Sequence, residues 1–586
     1  MSFTLLAALS ACGDASSPAR DVASDRRWHR RPRWGRRDRC RRRARRRRRR
    51  DVRARWRRRR PFDPDAILEV ALTLGASDWE ALRLQLRDPL VVVGAGCLDA
   101  PWPSPFTWFS ASATIAGATY PDVGVRKKGN LTAYEVQRPA LRLDFDRAVA
   151  GREVLGQDDM VLNRAVQDPS FVRTCLGYQL FAAAGLPAPR CGFAHVRVNG
   201  QDLGLYLHVE RMDKDLLEDH FEDASGNLYE GSLSDFRAGW LGSFELDSGS
   251  APTSELQAVA TALDAADDAL EGELAKVLDV DQFITYWAME TILEHVDGYS
   301  GNLNNFYLYH DPTRGRLVFL PYGADFILPS LVEPAAYVVP PVMGAGALAR
   351  RLYAHPALRA RYLAKVKELV DRLFSDGAVT ALTAEVDRMA ALVAPAVSDP
   401  PTFQAELEFL KASIGARRAA VQRGLDSAPS AIDEPPRDTP CLAELGHIAA
   451  SFETTWGTWE MADPLATGTG SISATLGDTT LAFTDVGATA GEPGPGIPVV
   501  ALRLVGDRGD GTHLVCDLQI ARRDYETDRS LSLRLQETSV TLWTEAGGEL
   551  TPLGQVAPGT VTLEAAGREA GDAVVLSFEG DILEPY

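Results

Sequence analysis

Cysteine is scarce. Seven residues, at 12, 40, 97, 175, 191, 441 and 516, are spread over 586 positions, and none forms a C-x-x-C step, which argues against a zinc knuckle. No apolar run beyond the N-terminus reaches the ~18 residues that a membrane-spanning helix needs. Internal repeats are absent. Basic residues are short everywhere except at the start: residues 1–60 hold 24 Arg and 5 Asp, while the rest carries 39 basic against 75 acidic residues, a net of −36. That surplus of acid argues against nucleic acid as a partner of the folded part. What remains is globular in composition, 45% hydrophobic and 24% charged, and long enough for several domains.

The chain begins MSFTLLAALSACGD. A short apolar run ending in Leu9-Ser10-Ala11-Cys12 resembles the lipobox of bacterial lipoprotein signal peptides, although the usual early Lys or Arg is missing. The resemblance implies cleavage before Cys12, lipidation of its thiol, and an exported lipoprotein held at the cell surface or periplasmic face of a membrane. Residues 13–60 are an Arg-rich, low-complexity tether. Codons for an Asp-Ala repeat give Arg when read one base out of frame, so an acidic tether shifted in frame accounts for the run better than a nucleic-acid arm. In an exported chain Cys175 can pair with Cys191 and Cys441 with Cys516, with a free buried thiol as the alternative.

From Pro61 the pattern is that of a folded protein. AILEVALTL (66–74) alternates as a half-buried strand. SDWEALRLQLRD has a capping-box spacing at Ser77 and Glu80 and reads as a helix. PDVGVRKKGN and PALRLDFD read as strands flanking a loop at Gly129-Asn130. DPSFVRTCLGYQLFAAAGLPAPR predicts a helix capped by Asp168, with Pro169 in its first turn and Gly185 and Pro187 as its stop. GFAHVRVNGQDLGLYLHVE is a hairpin turning at Asn199-Gly200, and MDKDLLEDHF a short helix. Residues 252–296 and 345–426 have helical period. Residues 429–440 form a Pro-rich linker, and 441–586 show short alternating runs between Gly- and Asp-rich turns, the pattern of an all-β sandwich. Within it, the two Trp of SFETTWGTWEMADP fit core packing better than carbohydrate binding.

The stretch EHVDGYSGNLNNFYLYHDPTRGRLVFLPYGADF (294–326) carries the chemistry. Phosphoryl transfer asks a protein for positioning, a carboxylate near the acceptor hydroxyl, and metal ligands on the phosphates. Protein kinases place an Asp in a loop after a long helix, an Asn five residues later, a hairpin, and a second Asp. Asp297, Asn302, the hairpin through Asp311-Pro312 and Gly315, and Asp325 repeat that order. Carboxylate and amide oxygens suit Mg²⁺ or Mn²⁺. Asn302 is the first choice for the metal and Asn304 the second, with Asn305 adjacent. His295 is read as structural, bonding backbone near Asp325.

These residues resemble the CotH (spore-coat protein H) kinase family over roughly residues 62–425. VGVRKKGNLT is similar to the family's RxKGNSS-type strand and loop, RPALRLDFD to its KPFKIDF segment, and GNLYEG to its GNLYKG. The block from LNRAVQDPS to PAPR, the hairpin through ERMDKDLLEDHF, and NLNNFYLY followed by Asp325 match further family segments. The resemblance implies an atypical two-lobed, kinase-like α+β domain over 61–428 that uses ATP and Mg²⁺ or Mn²⁺ to phosphorylate a protein hydroxyl. Asp297 is then the catalytic carboxylate, Asn302 and Asp325 the metal ligands, and Arg142, Lys128 and Glu210 the nucleotide and phosphate contacts, Glu210 at the adenine-side hinge. Three departures stand out. Gly323 replaces one carboxylate of a WDxD motif, Arg142 stands for a Lys, and the helix Ser170–Ala184 has no acidic residue for a Lys–Glu pair. They favour, as the alternative, a catalytically weak or inactive kinase-fold scaffold or adhesin. Transfer to a non-protein acceptor, or of a nucleotidyl group, is a third reading.

Overall fold

The computed structural model describes residues 61–586 apart from 89, 130–135, 251–253, 330–335, 460–462, 495–498, 534–537 and 586. Cys12, the Arg-rich run and Asn130 lie outside the described residues. The architecture is α+β: a small barrel, a helical body with its own sheet, and a large C-terminal sheet. No helix among the described residues is long and apolar enough to cross a membrane.

Seven strands close the barrel: β1 (Ile67–Thr73), β2 (Phe109–Ile115), β3 (Ala118–Lys127), β4 (Leu141–Asp144), β5 (Asp159–Asn163), β6 (Cys191–Val198) and β7 (Gln201–Val209), in the order β1-β2-β3-β4-β5-β7-β6. Neighbours are antiparallel except at the closure, where β1 runs parallel to β6. Alternation sorts the side chains. Val125, Leu141, Leu143 and Leu162 fill the interior, while Arg126, Arg142 and Asp159 lie on the opposite faces of their strands. The β6–β7 turn has Asn199 and Gly200 both left-handed (φ 52° and 82°), as the Asn-Gly pair anticipates. Helix α1 (Ala76–Arg83) is tied to the barrel by Lys127, whose buried ammonium donates to the carbonyls of Arg83 and Gln85 at 2.9 and 2.8 Å. Segment α2 (Leu90–Val93) follows it.

Helix α3 (Arg173–Ala183) starts later than its sequence suggests. Phe171 is left-handed (φ 59°) and breaks the turn that Pro169 would open. Asp168, fully buried, instead accepts from the N–H groups of Ser170 and Arg173 and from the Arg173 guanidinium. Gly185 (φ 90°) ends the helix as expected, with Leu186 N–H reaching Phe181 O at 3.1 Å. After α4 (Lys214–His220), strands β8 (Leu228–Gly231), β9 (Glu245–Ser248), β10 (Phe306–Asp311) and β11 (Arg316–Pro321) form a second sheet ordered β11-β10-β8-β9.

Helices α5 (Ser254–Leu263) and α6 (Asp267–Val277) lead to α7 (Val280–Leu293), which buries eleven of its 14 residues. Its Trp287 stacks on Tyr362 with ring centres 3.7 Å apart. One turn, α8 (Tyr299–Asn302), precedes β10; α9 (Ala347–Ala354), α10 (Pro356–Leu373), α11 (Asp376–Val393) and α12 (Pro400–Asp426) complete the body. The Pro-rich stretch after α12 is strapped down. Tyr353, Arg359 and Arg350 donate to the carbonyls of Pro429, Ser430 and Glu434, and Arg437 reaches Asn302 O at 3.2 Å.

The C-terminal part is one antiparallel sheet, not the two packed sheets of a sandwich. Its order is β14-β13-β12-β21-β20-β19-β17-β16-β15, with β18 on β20. The strands are β12 (Glu444–Thr455), β13 (Thr469–Leu476), β14 (Thr479–Leu481), β15 (Asp485–Gly491), β16 (Val499–Asp507), β17 (Thr512–Ala521), β18 (Arg529–Leu533), β19 (Ser539–Ala546), β20 (Glu549–Ala566) and β21 (Ala573–Leu583). Bulges in β12 and β20 bend long strands, and the sheet curls into a half-barrel until Trp456, just past β12, bridges Ala490 on β15. Trp456 is buried in the core beside Tyr525.

Two disulfides join Cys175 to Cys191 and Cys97 to Cys441. The first pair is as expected; the 441–516 pair is not formed. Cys516 points into the core of the curled sheet, where burial pushes its thiol well above the ordinary range. Cys441 precedes β12 and meets the segment after α2, where Leu442 N–H also bonds Val93 O at 2.7 Å.

Candidate active site

The loop between α7 and β10 is built around Asp297. α7 ends in a left-handed Glu294 (φ 50°), and the chain re-enters β10 through left-handed Leu303 and Asn305. Those turns bring three amides onto one carboxylate. Asn302 donates to Asp297 Oδ1 and Asn305 to Oδ2, both at 2.6 Å, with Asn304 at the edge of range. Asp297 is therefore fixed on both oxygens, by bonds that use the Asn302 amide nitrogen and leave its oxygen out.

His295, fully buried, links this loop to the one carrying Asp325. Its Nε2 lies 3.1 Å from Gly323 O, the backbone contact expected of it, and its Nδ1 faces Glu290 at 3.6 Å. Burial opposes charge on the ring, but Glu290 and the Gly323 carbonyl outweigh it and hold the imidazole above its ordinary value.

Asp325 follows β11. Burial pushes its carboxyl up to about 6, against the help of its own N–H and of His295, and Asp297 and Asp168 push the same way as burial. Asp297 and Asp325 are thus within electrostatic reach of each other. Gly323 has no room for a side chain: it is left-handed (φ 54°), and a Cβ there would overlap the Asn305 amide.

Lys128 faces this group from the end of β3. Its ammonium donates to Asn163 Oδ1 at 2.8 Å. Burial draws it down to about 8, while Glu230 and Asp325 favour the charge and Arg142 and Arg126 oppose it. Asn163 and Glu230 were not singled out from sequence. Each is a polar residue at the one position of a short strand that is only half-buried, and neither strand alternates, so no pattern in the sequence marks them.

The other expected contacts are already engaged. Arg142 pairs with Asp159 (2.9 Å), which also takes Arg211, and Arg211 bonds Asp247 at 3.0 Å. This ion chain runs from the barrel to β9. Glu210 is buried against Arg190, accepting from its Nε and its backbone N–H at 2.9 Å each, and the Glu210 N–H is spent on Arg190 O. Asp297, Asn302, Asp325 and Lys128 come together; Arg142 borders them, and Glu210 sits apart in its own ion pair. Among the described residues Asp158, Asp159 and Asp213 also cluster; Arg142 and Arg211 pair with Asp159, while burial and Asp159 push the Asp213 carboxyl up to about 7 against Arg211.

A protein-family profile described as CotH kinase protein matches residues 125–427, a span from β3 to the end of α12 that contains all four converging residues. An inner spore coat protein H-like protein of Bacillus subtilis (strain 168) is 27% identical over 225 residues, 38% of this chain and 65% of that protein. Inner spore coat protein H of the same strain is 26% identical over 187 residues, 29% of this chain and 50% of that protein. The chain thus spans between half and two thirds of the length of these relatives, and the curled sheet lies outside the family match. On the match from β3 through α12, which includes the Asp297 and Asp325 loops, this chain belongs to the CotH kinase protein family.

Proposed function

We propose that the protein is an atypical, two-lobed kinase that moves the γ-phosphoryl group of ATP to a protein hydroxyl. The observation that carries this reading is the link between the loops of Asp297 and Asp325, on either side of one hairpin, through His295 and the Gly323 carbonyl, with Lys128 within electrostatic reach of Asp325. Asp297, aimed by Asn302 and Asn305, accepts the proton of the attacking hydroxyl. Lys128 offsets charge on the phosphate oxygens. The donor set fits a hard divalent cation: Asp325 is a buried carboxylate crowded by two others, and the amide oxygen of Asn302 is of the right type. Asp325 and Asn302 would hold Mg²⁺ or Mn²⁺, which when bound neutralises the phosphates.

The same reading has the chain exported and lipid-anchored at Cys12; the spore-coat names of the relatives support a surface location. Mass spectrometry for a diacylglycerol adduct on Cys12 tests it. The position closed at Gly323 favours a second reading, a kinase-fold scaffold that binds no nucleotide. Purified protein with labelled ATP and Mg²⁺ or Mn²⁺ is expected to label itself or a generic protein acceptor, and Asp297→Ala to abolish it. Equal labelling by the variant would overturn the role of Asp297. Absence of a melting shift at millimolar ATP would favour the scaffold.

A further inference from the structure

Glu290 is an acidic side chain with no exposure at all, on the inner face of α7 and cut off from solvent. Burying a carboxylate is costly unless every lone pair is used. Here three hydrogen bonds reach it, two of them from one loop. Oε1 accepts from the Tyr286 hydroxyl at 2.6 Å and from Tyr299 N–H at 2.9 Å; Oε2 accepts from Ser300 N–H at 2.8 Å. The His295 ring nitrogen that faces Glu290 at 3.6 Å has no hydrogen-bond partner, so the pair meets through charge and not through a hydrogen bond. Gly298 is required by the same contact, because a Cβ there would overlap Oε1.

Glu290 therefore grips the chain two and three residues after Asp297, at Tyr299 and Ser300, and faces it two residues before, at His295. The opposite edge of the imidazole holds Gly323 O, two residues before Asp325. Apart from Tyr286 on its own helix, every donor to Glu290 is on the Asp297 loop, and the one outward link of His295 is to the Asp325 loop. An apolar residue of similar size would pack α7 as well but would make none of these connections.

We infer that Glu290, acting through His295, is a positioning residue that sets the separation of Asp297 and Asp325 and so the affinity of the site for its divalent cation. This rests on the reading of Asp325 as a metal ligand. Residues that orient metal ligands from behind typically change metal affinity when replaced, by about 10-fold or more. Glu290→Gln keeps the shape but turns an amide N–H₂ toward a backbone donor. His295→Phe keeps an aromatic ring beside Phe181 but removes both links.

The test is Mn²⁺ binding to the purified protein without nucleotide, followed by electron paramagnetic resonance, with the Mg²⁺ dependence of phosphoryl transfer as a second readout. Both variants are expected to weaken Mn²⁺ binding by about 10-fold and to raise the half-saturating Mg²⁺ to match, with the KM for ATP at saturating metal little changed. Thr291→Val, on the same helix, removes only the 2.8 Å bond to Tyr362; it controls for lost stability and is expected to leave Mn²⁺ binding unchanged. Wild-type protein that takes no Mn²⁺ would overturn the metal reading and this inference together. Normal Mn²⁺ binding by both variants, or an equal loss in Thr291→Val, would overturn this inference alone.

Discussion

The Asn305 amide occupies the space that a side chain at Gly323 would need, and the same amide donates to Asp297 at 2.6 Å. The missing carboxylate at this position is therefore tied to how Asp297 is held. Gly323→Asp is expected to lower stability, by about 1–2 kcal/mol from the left-handed backbone alone, and to lower transfer activity instead of improving it. Pairing it with Asn305→Gly relieves the overlap, and thermal melts of the single and double variants check the difference.

Asp325 keeps its proton up to about pH 6, against 3.8 ordinarily. Below pH 4 folded and unfolded chains are both protonated there, and the residue costs nothing. As pH rises from 4 to 6 only the unfolded chain ionises, so the folded state loses stability, about 2–3 kcal/mol in all by pH 7. Asp325→Asn removes this penalty. The variant is expected to be more stable than wild type at pH 7–8 and equal to it near pH 4 in denaturant titrations without metal. Millimolar Mg²⁺ should stabilise wild type and leave the variant unmoved.

Lys128 sits at about 8 because burial disfavours its charge. Lys128→Met is expected to weaken ATP binding by about 10–100-fold, the worth of a charged hydrogen bond. In wild type, affinity should fall as pH passes from 7 to 9 and the ammonium deprotonates. Lys128→Arg should flatten that slope, since a guanidinium stays charged. Calorimetric titrations with ATP across the pH range read both effects.

Peptide mapping without reduction is expected to find Cys97 linked to Cys441 and Cys175 to Cys191, with Cys516 alkylated only after denaturation. Cys516→Ser should change neither linkage. Cys97→Ser should lower thermal stability; a bridge closing so long a loop contributes about 6 kcal/mol in chain-entropy terms. A Cys441–Cys516 peptide would contradict the structure.

Much of the site could be read from residue order, because it is local. Asp297, Asn302 and Asn305 lie within nine residues, and the Asn199-Gly200 turn is set by two residues that tolerate positive φ. The pairings that depend on distant chain were not legible. Arg142 advertises a cation, but its partner Asp159 arrives only once β4 pairs with β5. Alternation in 441–586 says which face of each strand is buried and nothing of whether a second sheet or the same sheet covers it. The helix at Arg173 starts late because of the backbone at Phe171, which no propensity signals.

The Cys97–Cys441 bridge also has a mechanical meaning. Residues 97–441 form a covalent ring closed at one sulfur–sulfur bond, with the Asp297 and Asp325 loops inside it. Tension applied between Pro61 and β21 passes along the chain to Cys97, across the bridge, and on from Cys441. The ring itself stays slack, so load on the curled sheet does not stretch the chain that carries the site.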